Sequence, residues 1–312
     1  MGVPKRSHVY GPVWSRRLGR SLGIDLIPYK ICSYDCVYCQ LGRTTRKTVQ
    51  RREYVPLGEV LDDLRRRLAA GPTPDFVSLA GSGEPTLHAG LGELIAALKR
   101  RTTVPVAVLT NGSLLARPGV RRELARADLV LPSLDAGDAR MFRRVNRPHP
   151  SLRFRDVVEG LAEFVAGFGG AVWLEVFLLA GWTTAPDQVR RLAELARRVG
   201  PARVQLNTVA RPPAEQRAAA VPHAELVRLA RQFDGPVDLL VDRPAAAPRG
   251  KTAGDLAAVL ELLGRRPCTI AGMAAGLGLH PNDALKRVEA LRQAGRVRAV
   301  RRGARTFYEA VH

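Results

Sequence analysis

The chain has 312 residues, of which 46% are hydrophobic and 25% are charged. This length and composition are typical of a soluble globular protein with one large domain and one small domain. No apolar run reaches the ~18 residues that a membrane helix needs, and residues 1–10 lack the apolar centre of a secretory signal. We therefore expect a cytoplasmic protein that has no membrane partner.

The net charge of +20 is concentrated at the two ends of the chain. Residues 1–52 hold 11 basic and 2 acidic residues, and residues 246–312 hold 12 basic and 5 acidic residues. Basic segments on either side of a nearly neutral body favour a polyanionic partner, such as RNA or DNA, that is attracted through its phosphates. The alternative explanation is compositional, because the abundance of Arg, Ala, Gly and Pro is typical of a GC-rich genome.

Strand-like and helix-like patterns alternate from residue 21 onward. They follow a basic, glycine-punctuated arm at residues 14–23, which either caps the open side of a barrel or contacts substrate. Short, continuously apolar segments indicate parallel strands covered by helices, and apolar residues spaced three and four apart indicate the helices. The predicted strands cover residues 21–27, 75–80, 104–109, 129–133, 172–179 and 203–207. The predicted helices cover residues 57–70, 91–101, 120–127, 152–168, 186–199 and 224–233. The fold class is therefore α/β, and six βα units predict a partial (β/α)6 parallel barrel.

The loop after the first predicted strand holds three of the four cysteines, Cys32, Cys36 and Cys39, at CxxxCxxC spacing. Side chains at these offsets on a short irregular loop can converge on one iron–sulfur cluster. A cluster of four irons would then keep one iron without a protein ligand, and chemistry could take place there. A zinc site, which needs a fourth ligand, and three unrelated buried thiols are the alternatives.

Polar or glycine-rich sequences also follow the next three predicted strands. They are Gly81-Ser82-Gly83-Glu84, Thr110-Asn111-Gly112 and Ser133-Leu134-Asp135. Because the loops at the carboxyl ends of parallel barrel strands converge on the mouth, we expect these residues to lie beside the cysteines. The glycines would let the backbone approach a ligand closely.

The composition changes after about residue 245, and the segment from Arg243 to Gly250 is typical of a linker. Beyond it we predict helices at residues 255–263, 270–277 and 281–294, followed by a basic hairpin. The two hairpin strands are predicted at residues 296–301 and 305–310.

This order of elements is typical of a winged helix-turn-helix, which binds nucleic acid, peptides or partner proteins. Its recognition helix would cover residues 282–293, with Leu285, Val288 and Leu291 on one apolar face. Cys268 has no cysteine partner nearby and is expected to be a structural thiol. We therefore predict two domains, a barrel with its basic arm at residues 1–243 and a small C-terminal domain at residues 250–312.

The segment Cys32-Ser33-Tyr34-Asp35-Cys36-Val37-Tyr38-Cys39 resembles the signature of the radical S-adenosylmethionine (SAM) superfamily, including the aromatic residue before the last cysteine. The three loops after the next strands are similar to that superfamily's motifs in their usual order. The resemblance implies a 4Fe-4S cluster whose open iron binds SAM, and reductive cleavage of SAM to a 5′-deoxyadenosyl radical that removes hydrogen from a substrate. A reductase or a flavodoxin-type protein would donate the electron.

The resemblance also implies which residues contact SAM. The candidates are Tyr38, Gly81, Ser82, Gly83, Glu84, Asn111, Ser133 and Asp135. Glu84 is expected to accept hydrogen bonds from the SAM ammonium group, and Tyr38 to pack on the adenine. Ser133 and Asp135 are expected to hydrogen-bond the ribose and carboxylate. Core hydrogen bonding is the alternative role for Asn111, and turn capping is the alternative role for Asp135.

A closer resemblance links residues 133–136 and Asn146-Arg147-Pro148 to the branch that makes the tricyclic guanine wybutosine in tRNA. That branch carries a second cluster on additional cysteines, whereas the N-terminal arm of this chain contains none. It also uses lysines, and no lysine follows the fifth strand at residues 178–182. The resemblance therefore implies the chemistry of the superfamily without the substrate of that branch.

The sequence leaves three functional hypotheses. The first is a radical SAM enzyme that acts on a nucleic acid, RNA in particular, which the basic ends bind. The second keeps the radical chemistry but directs it to a peptide or a small molecule. The third is a metal-dependent or cluster-dependent DNA-binding regulator that needs no SAM.

Overall fold

The computed structural model describes residues 7–71, 73–240, 256–303 and 305–311, so the predicted linker lies outside the described residues. The strands are β1 (Val9–Ser15), β2 (Gly19–Ile24), β3 (Ile31–Cys32), β4 (Arg46–Lys47), β5 (Phe76–Leu79), β6 (Val106–Thr110), β7 (Leu129–Pro132), β8 (Ala171–Leu178), β9 (Arg203–Thr208), β10 (Val237–Leu239), β11 (Val297–Arg302) and β12 (Arg305–Ala310). The helices are α1 (Leu57–Ala70), α2 (Leu91–Arg101), α3 (Pro118–Leu124), α4 (Ala139–Val145), α5 (Phe154–Gly167), α6 (Pro186–Val199), α7 (His223–Ala230), α8 (Leu256–Arg265), α9 (Ile270–Leu277) and α10 (Pro281–Gln293).

The central element is an eight-stranded, largely parallel sheet with the order β1-β2-β5-β6-β7-β8-β9-β10. All six predicted strands are present in it, which confirms the α/β class and the parallel arrangement. The sheet contains two strands more than the six that were predicted. The short strand β10 adds a further parallel strand beside β9, and the predicted arm supplies β1, which pairs antiparallel with β2.

The helices form because their apolar residues recur on one face. In α2, for example, Leu91, Leu94, Ile95 and Leu98 are fully buried, while the basic residues at its end are exposed. This spacing of three and four residues places a continuous apolar stripe against the sheet. No helix in the described part of the chain is long and apolar enough to cross a membrane.

The sheet is open between its first and last strands, since β1 and β10 are its two edges. The turn between β1 and β2 reaches across this gap, where an Nη of Arg16 donates a hydrogen bond of 2.8 Å to the carbonyl oxygen of Leu240. The basic arm of the sequence therefore spans the open side of the sheet, as one of its two predicted roles required.

Helices α8, α9 and α10 and the antiparallel hairpin β11–β12 follow in the predicted order and share a separate apolar core. Cys268 is buried in this core. The apolar face of α10 differs from the prediction, because Val288 and Leu291 are buried together with Ala284 whereas Leu285 is 42% exposed. A helical turn of 3.6 residues places position 284, four before Val288, on the same face. Val13 of β1 packs against this core, so the C-terminal elements lie on the edge strand.

We expect Gly160→Ala to destabilise the protein by about 1–3 kcal/mol, as overpacking does. A Cβ at this position of α5 would lie 2.3 Å from the backbone nitrogen of Ala116, and backbone atoms cannot move aside cheaply. Gly167→Ala in the same helix is the matched control, because nothing lies within 4 Å of its Cβ. Urea unfolding followed by circular dichroism measures both, and equal midpoints would contradict the close packing of α5.

Candidate active site

A cavity of about 530 Å³ lies at the carboxyl ends of the parallel strands. Cys32, Cys36 and Cys39 all line this cavity. Seven of the eight candidate cofactor residues line it as well, namely Tyr38, Gly81, Ser82, Gly83, Glu84, Asn111 and Ser133. The loops after successive strands therefore converge and bring the predicted residues together. Asp135 is the one candidate that does not line the cavity.

The thiols of Cys32 and Cys36 are held in an environment that opposes their ionisation. Burial, and after it the nearby carboxylate of Glu84, raises the pKa of the Cys32 thiol to about 12. Burial and the carboxylate of Asp135 raise the pKa of the Cys36 thiol well above its usual value. Because a metal centre stabilises the thiolate, binding of a cationic centre would release these protons.

The zinc alternative requires several ligands that lie close enough together to bind one metal ion. Among the residues that the structure describes, no three His, Cys, Asp or Glu side chains are placed to hold a single metal ion. A cluster of several irons accepts thiolates that are further apart than the ligands of one ion, since each thiolate binds a different iron.

Lys30 is a buried cation beside the cysteines. Its side chain donates a hydrogen bond to the carbonyl oxygen of Gly42, and its Nζ lies 3.3 Å from the Sγ of Cys39. The residue is only 3% exposed, and no carboxylate in the described ranges forms an ion pair with it. A buried charge is costly unless an opposite charge lies close to it. The cavity is therefore suited to a group of negative charge next to Cys39.

Glu84 organises the loops around the cavity. Its buried carboxylate accepts hydrogen bonds from the backbone nitrogen and hydroxyl of Thr86, at 3.0 and 2.6 Å. It also accepts from the hydroxyl of Thr110 at 2.6 Å and from the backbone nitrogen of Asn111 at 2.7 Å. Burial raises the pKa of this carboxyl, although the donors counteract the rise. Glu84 thus ties the turn after β5 to the end of β6.

The two glycines of this turn pack against the protein itself. A Cβ at Gly83 would lie 2.1 Å from the carbonyl oxygen of Ile31, and a Cβ at Gly81 would lie 2.3 Å from Oδ1 of Asp25. No side chain fits at either position, so the turn needs both glycines to sit beside the cysteine loop. This close packing is a structural reason for the Gly-Ser-Gly-Glu order.

Asp135 supports the aromatic wall of the cavity. It accepts hydrogen bonds from the hydroxyl of Tyr38, from the side-chain nitrogen of Asn146 at 2.7 Å and from the backbone nitrogen of Phe177 at 3.1 Å. The rings of Tyr38 and Phe177 stack with centroids 3.9 Å apart. Burial raises the pKa of the Asp135 carboxyl to about 6. Its oxygens are therefore engaged by protein donors, which fix the position of Tyr38.

Asn111 and Ser133 present polar groups at the ends of β6 and β7. The side-chain nitrogen of Asn111 donates to the hydroxyl of Ser33 at 2.9 Å and lies 3.5 Å from the Sγ of Cys32. Asn111 therefore links the strand ends to the cysteine loop. The hydroxyl of Ser133 lines the cavity and has no hydrogen-bond partner within the described residues.

The Asn146-Arg147-Pro148 segment also holds the cysteine loop. The carbonyl oxygens of Val145 and Asn146 accept hydrogen bonds from the backbone nitrogens of Val37 and Asp35, at 3.0 and 2.9 Å. Arg147 forms an ion pair with Glu215, whose backbone nitrogen donates to the carbonyl oxygen of Val37 at 3.0 Å. The loop is thus fixed from two sides by backbone contacts.

Sequence reasoning missed three residues that line the cavity, Arg17, Lys30 and Phe177. Arg17 forms an ion pair with Glu175 on β8, and the side-chain nitrogen of Asn207 donates to the same carboxylate at 2.6 Å. The position of Phe177 could have been predicted, because Phe177 lies two residues after Glu175 on the same strand. Its side chain therefore points to the same face of the sheet as that of Glu175. Arg17 belongs to the basic arm at residues 14–23, for which substrate contact was one of two predicted roles, and Lys30 had no signal beyond its positive charge.

The residues at the cavity fit an iron–sulfur cluster and a nucleoside-type cofactor. Three thiols are available, a buried ammonium group lacks a carboxylate partner, and the buried hydroxyl of Tyr34 lacks a hydrogen-bond partner. A cluster with anionic sulfur ligands would satisfy both groups, because it offers negative charge and acceptor atoms. The stacked rings and the polar strand ends offer the apolar and polar surfaces that such a cofactor needs.

Comparisons with known proteins agree with this fit. Residues 26–193 match the family model of the radical SAM superfamily. A UPF0026 protein of Helicobacter pylori strain J99 is 34% identical over 304 residues, which cover 96% of each chain. A protein of Brachyspira hyodysenteriae named GTPase Obg is 36% identical over 300 residues, but the chain spans only 44% of its length. A radical SAM methyltransferase from Sphaerobacter thermophilus shares the fold, with a TM-score of 0.51 and 20% identity over 70% of this chain and 65% of that one.

The family match covers more than half of the chain and includes the cysteine loop and the loops after β5, β6 and β7. The relative from Helicobacter pylori extends the similarity over nearly the whole sequence, including the C-terminal elements. The chain therefore belongs to the radical SAM superfamily and, within it, to the UPF0026 proteins, and it is an iron–sulfur enzyme that uses a 4Fe-4S cluster and SAM.

Proposed function

We propose that this enzyme removes a hydrogen atom from RNA, which the basic C-terminal hairpin binds while one nucleotide enters the cavity. The observation that carries the proposal is the continuity of the cavity. Its lining runs from the three cysteines to Glu261, Leu262 and Arg266 in and beside α8. A substrate held by the C-terminal elements would therefore reach the cysteines.

We propose Cys32, Cys36 and Cys39 as the ligands of the cluster. When bound, the cluster and SAM supply one-electron cleavage of a carbon–sulfur bond of SAM and, through it, removal of hydrogen from substrate. The chain's own residues hold and orient these groups. Lys30 balances negative charge beside Cys39, and the hydroxyl of Tyr34 donates a hydrogen bond into the cavity.

We propose that the hydroxyl of Ser133 and the backbone of the turn from Gly81 to Glu84 bind SAM directly. Ser133 supports this role because its hydroxyl is unpartnered among the described residues and lines the cavity. Tyr38 and Phe177 form the apolar wall against which the adenine would pack. Glu84 and Asp135 act behind these contacts, since protein donors occupy their oxygens. The apolar wall also excludes water from the reacting groups.

Charge on the C-terminal hairpin supports an RNA substrate. Arg296, Arg301 and Arg302 are exposed there, and no carboxylate of the described residues pairs with them. Unpaired arginines on one ribbon attract phosphates. The order of three helices and a hairpin supports a winged helix-turn-helix as the RNA-binding module. Because the cysteines lie within a cavity at the strand ends, a base would have to leave its duplex to reach them, as in enzymes that extrude their target base.

Three other functions receive less support. A DNA-binding regulator needs no SAM, whereas this chain belongs to a family of SAM-dependent enzymes. The name GTPase Obg belongs to a relative of which this chain covers less than half, so we propose no GTPase activity. The tricyclic-guanine reaction is not proposed either, because no further cysteine accompanies the triplet in the N-terminal arm.

We propose that a reductase or a flavodoxin-type protein supplies the electron that reduces the cluster before SAM is cleaved.

We expect Cys36→Ala to abolish cluster binding, because it leaves two of the three proposed ligands. The matched control is Cys268→Ala, which removes the cysteine that is buried in the C-terminal core. Iron and sulfide content, low-temperature electron paramagnetic resonance with and without SAM, and chromatography for 5′-deoxyadenosine are measured on anaerobically reconstituted protein. A cluster in Cys36→Ala that SAM still perturbs would disprove the assigned ligands.

We expect Lys30→Met to make the cluster harder to reduce, because the variant removes a buried positive charge beside Cys39. A tenfold change in the reduction equilibrium corresponds to ~59 mV for a one-electron couple, and we expect a negative shift of about this size. Lys286→Met, which alters an exposed lysine of α10 that does not line the cavity, is the control and should leave the midpoint potential unchanged. Redox titration followed by electron paramagnetic resonance measures both, and equal potentials would show that Lys30 does not sense the cluster.

We expect the double variant Arg301→Glu/Arg302→Glu to weaken RNA binding and to reduce its dependence on salt. The slope of log affinity against log salt should fall by about 0.7 for each single-strand phosphate that the variant no longer neutralises. Fluorescence anisotropy with unfractionated transfer RNA measures this slope. Arg198→Glu, an exposed arginine of α6, controls for a general decrease in positive charge.

The outcome that would refute the RNA proposal is an affinity that neither salt nor the double variant changes. Incubation of the active enzyme with a protein-free metabolite extract provides a second discriminating result. A labelled small-molecule product in that extract, with no modified RNA, would favour the enzyme acting on a small molecule.

A further inference from the structure

A buried ion pair connects the C-terminal elements to the cavity wall. Arg265, the last residue of α8, places an Nη 3.3 Å from Oδ2 of Asp25, which follows β2. The two side chains are only 10% and 11% exposed. The residues are 240 positions apart in the sequence, so the pair exists only when α8 is docked on the sheet.

Asp25 holds the first half of the turn that follows β5. Its Oδ1 accepts a hydrogen bond of 3.0 Å from the backbone nitrogen of Ser82, and its Oδ2 accepts one of 2.5 Å from the Ser82 hydroxyl. The carboxylate also lies where a Cβ of Gly81 would be, at 2.3 Å. The position of Asp25 therefore fixes the position of Gly81 and Ser82.

Arg265 supports the same turn through a second route. Its guanidinium carbon lies 3.8 Å from the centroid of the Tyr10 ring, and its other Nη donates to the carbonyl oxygen of Ser7 at 3.1 Å. The hydroxyl of Tyr10 in turn donates to the carbonyl oxygen of Ala80, at 3.2 Å. Both supports behind residues 80–82 thus converge on one arginine of α8.

We propose that Arg265 is a positioning residue for SAM, through which the docked C-terminal elements complete the cofactor site. The proposal rests on the proposed role of the turn from Gly81 to Glu84 in binding SAM. Without the arginine, Asp25 would be a buried carboxylate lacking its counter-charge, and it would turn toward water and release Ser82. Because linkage is reciprocal, bound SAM must favour the docked position of α8 to the same degree.

The test measures SAM affinity on anaerobically reconstituted, full-length enzyme with radiolabelled SAM in equilibrium dialysis. We expect Arg265→Met and Asp25→Asn each to raise the Kd of SAM by about tenfold, as removal of a supporting group behind a ligand does. Iron content and the midpoint potential of the cluster should not change. Arg265→Lys, which keeps the charge, should recover part of the affinity.

The matched control is Arg298→Met. Arg298 forms an ion pair of 2.6 Å with Glu309 within the hairpin of the same C-terminal elements, and neither residue lines the cavity. Its Kd for SAM should equal that of the wild type. The double variant Arg265→Met/Asp25→Asn should be no weaker than either single variant, because both remove the same support.

Hydrogen exchange gives a readout that a merely structural role would not change. SAM should slow amide exchange in α8 of the wild type and should have no effect there in Arg265→Met. An unchanged Kd in Arg265→Met would overturn the proposal. A variant that loses the cluster together with SAM binding would also overturn it, because the effect would then extend beyond the turn. If the cluster-loaded wild type itself bound no SAM, the proposed function would fail instead.

Discussion

The buried carboxylate of Glu84 is the constraint on which the active site depends. A charge in this position is tolerated only when donors surround it, and hydrogen bonds to a charged group contribute roughly 1.5–3 kcal/mol each. Its donors come from Thr86 in its own turn and from Thr110 and Asn111 at the end of β6. Asn111 then contacts Ser33 and Cys32. One carboxylate thereby fixes two strand ends and the first cysteine relative to one another.

The need to satisfy a buried carboxylate also explains why Glu84 and Asp135 have roles in the structure that differ from the predicted ones. Glu84 and Asp135 were correctly placed at strand ends by their motifs, but a buried carboxylate must first be satisfied by the protein. Three protein donors occupy Asp135, and it holds Tyr38 against Phe177. Hydroxyl groups, rather than the carboxylates, are left with free hydrogen-bonding capacity at the cavity. Examples are the hydroxyls of Ser133, which was a predicted site residue, and of Tyr34, which was not.

The alternation of strands and helices was predictable because each element carries its own local pattern. Apolar runs marked the parallel strands, and the spacing of α2 marked its buried face. Strand β10 escaped prediction because three half-buried residues have no distinct pattern. The ion pairs Arg17 to Glu175 and Arg265 to Asp25 join residues 158 and 240 positions apart, and no local signal specifies such partners. The position of the cysteine loop at the strand ends was therefore predictable, whereas the groups that support it were not.

The C-terminal elements cover an edge strand that the open sheet would otherwise leave exposed. An uncovered edge strand exposes unpaired backbone groups, and β1 is such an edge. Its Val13 packs into the core shared by α8, α9 and α10, so the edge is covered by the same helices that line the far end of the cavity. The strands of the central sheet carry the motifs that match the superfamily. Residues of α8 line the same cavity as the cysteines, so this cover forms part of the cavity wall and contributes to the shape of the space beside the cysteines.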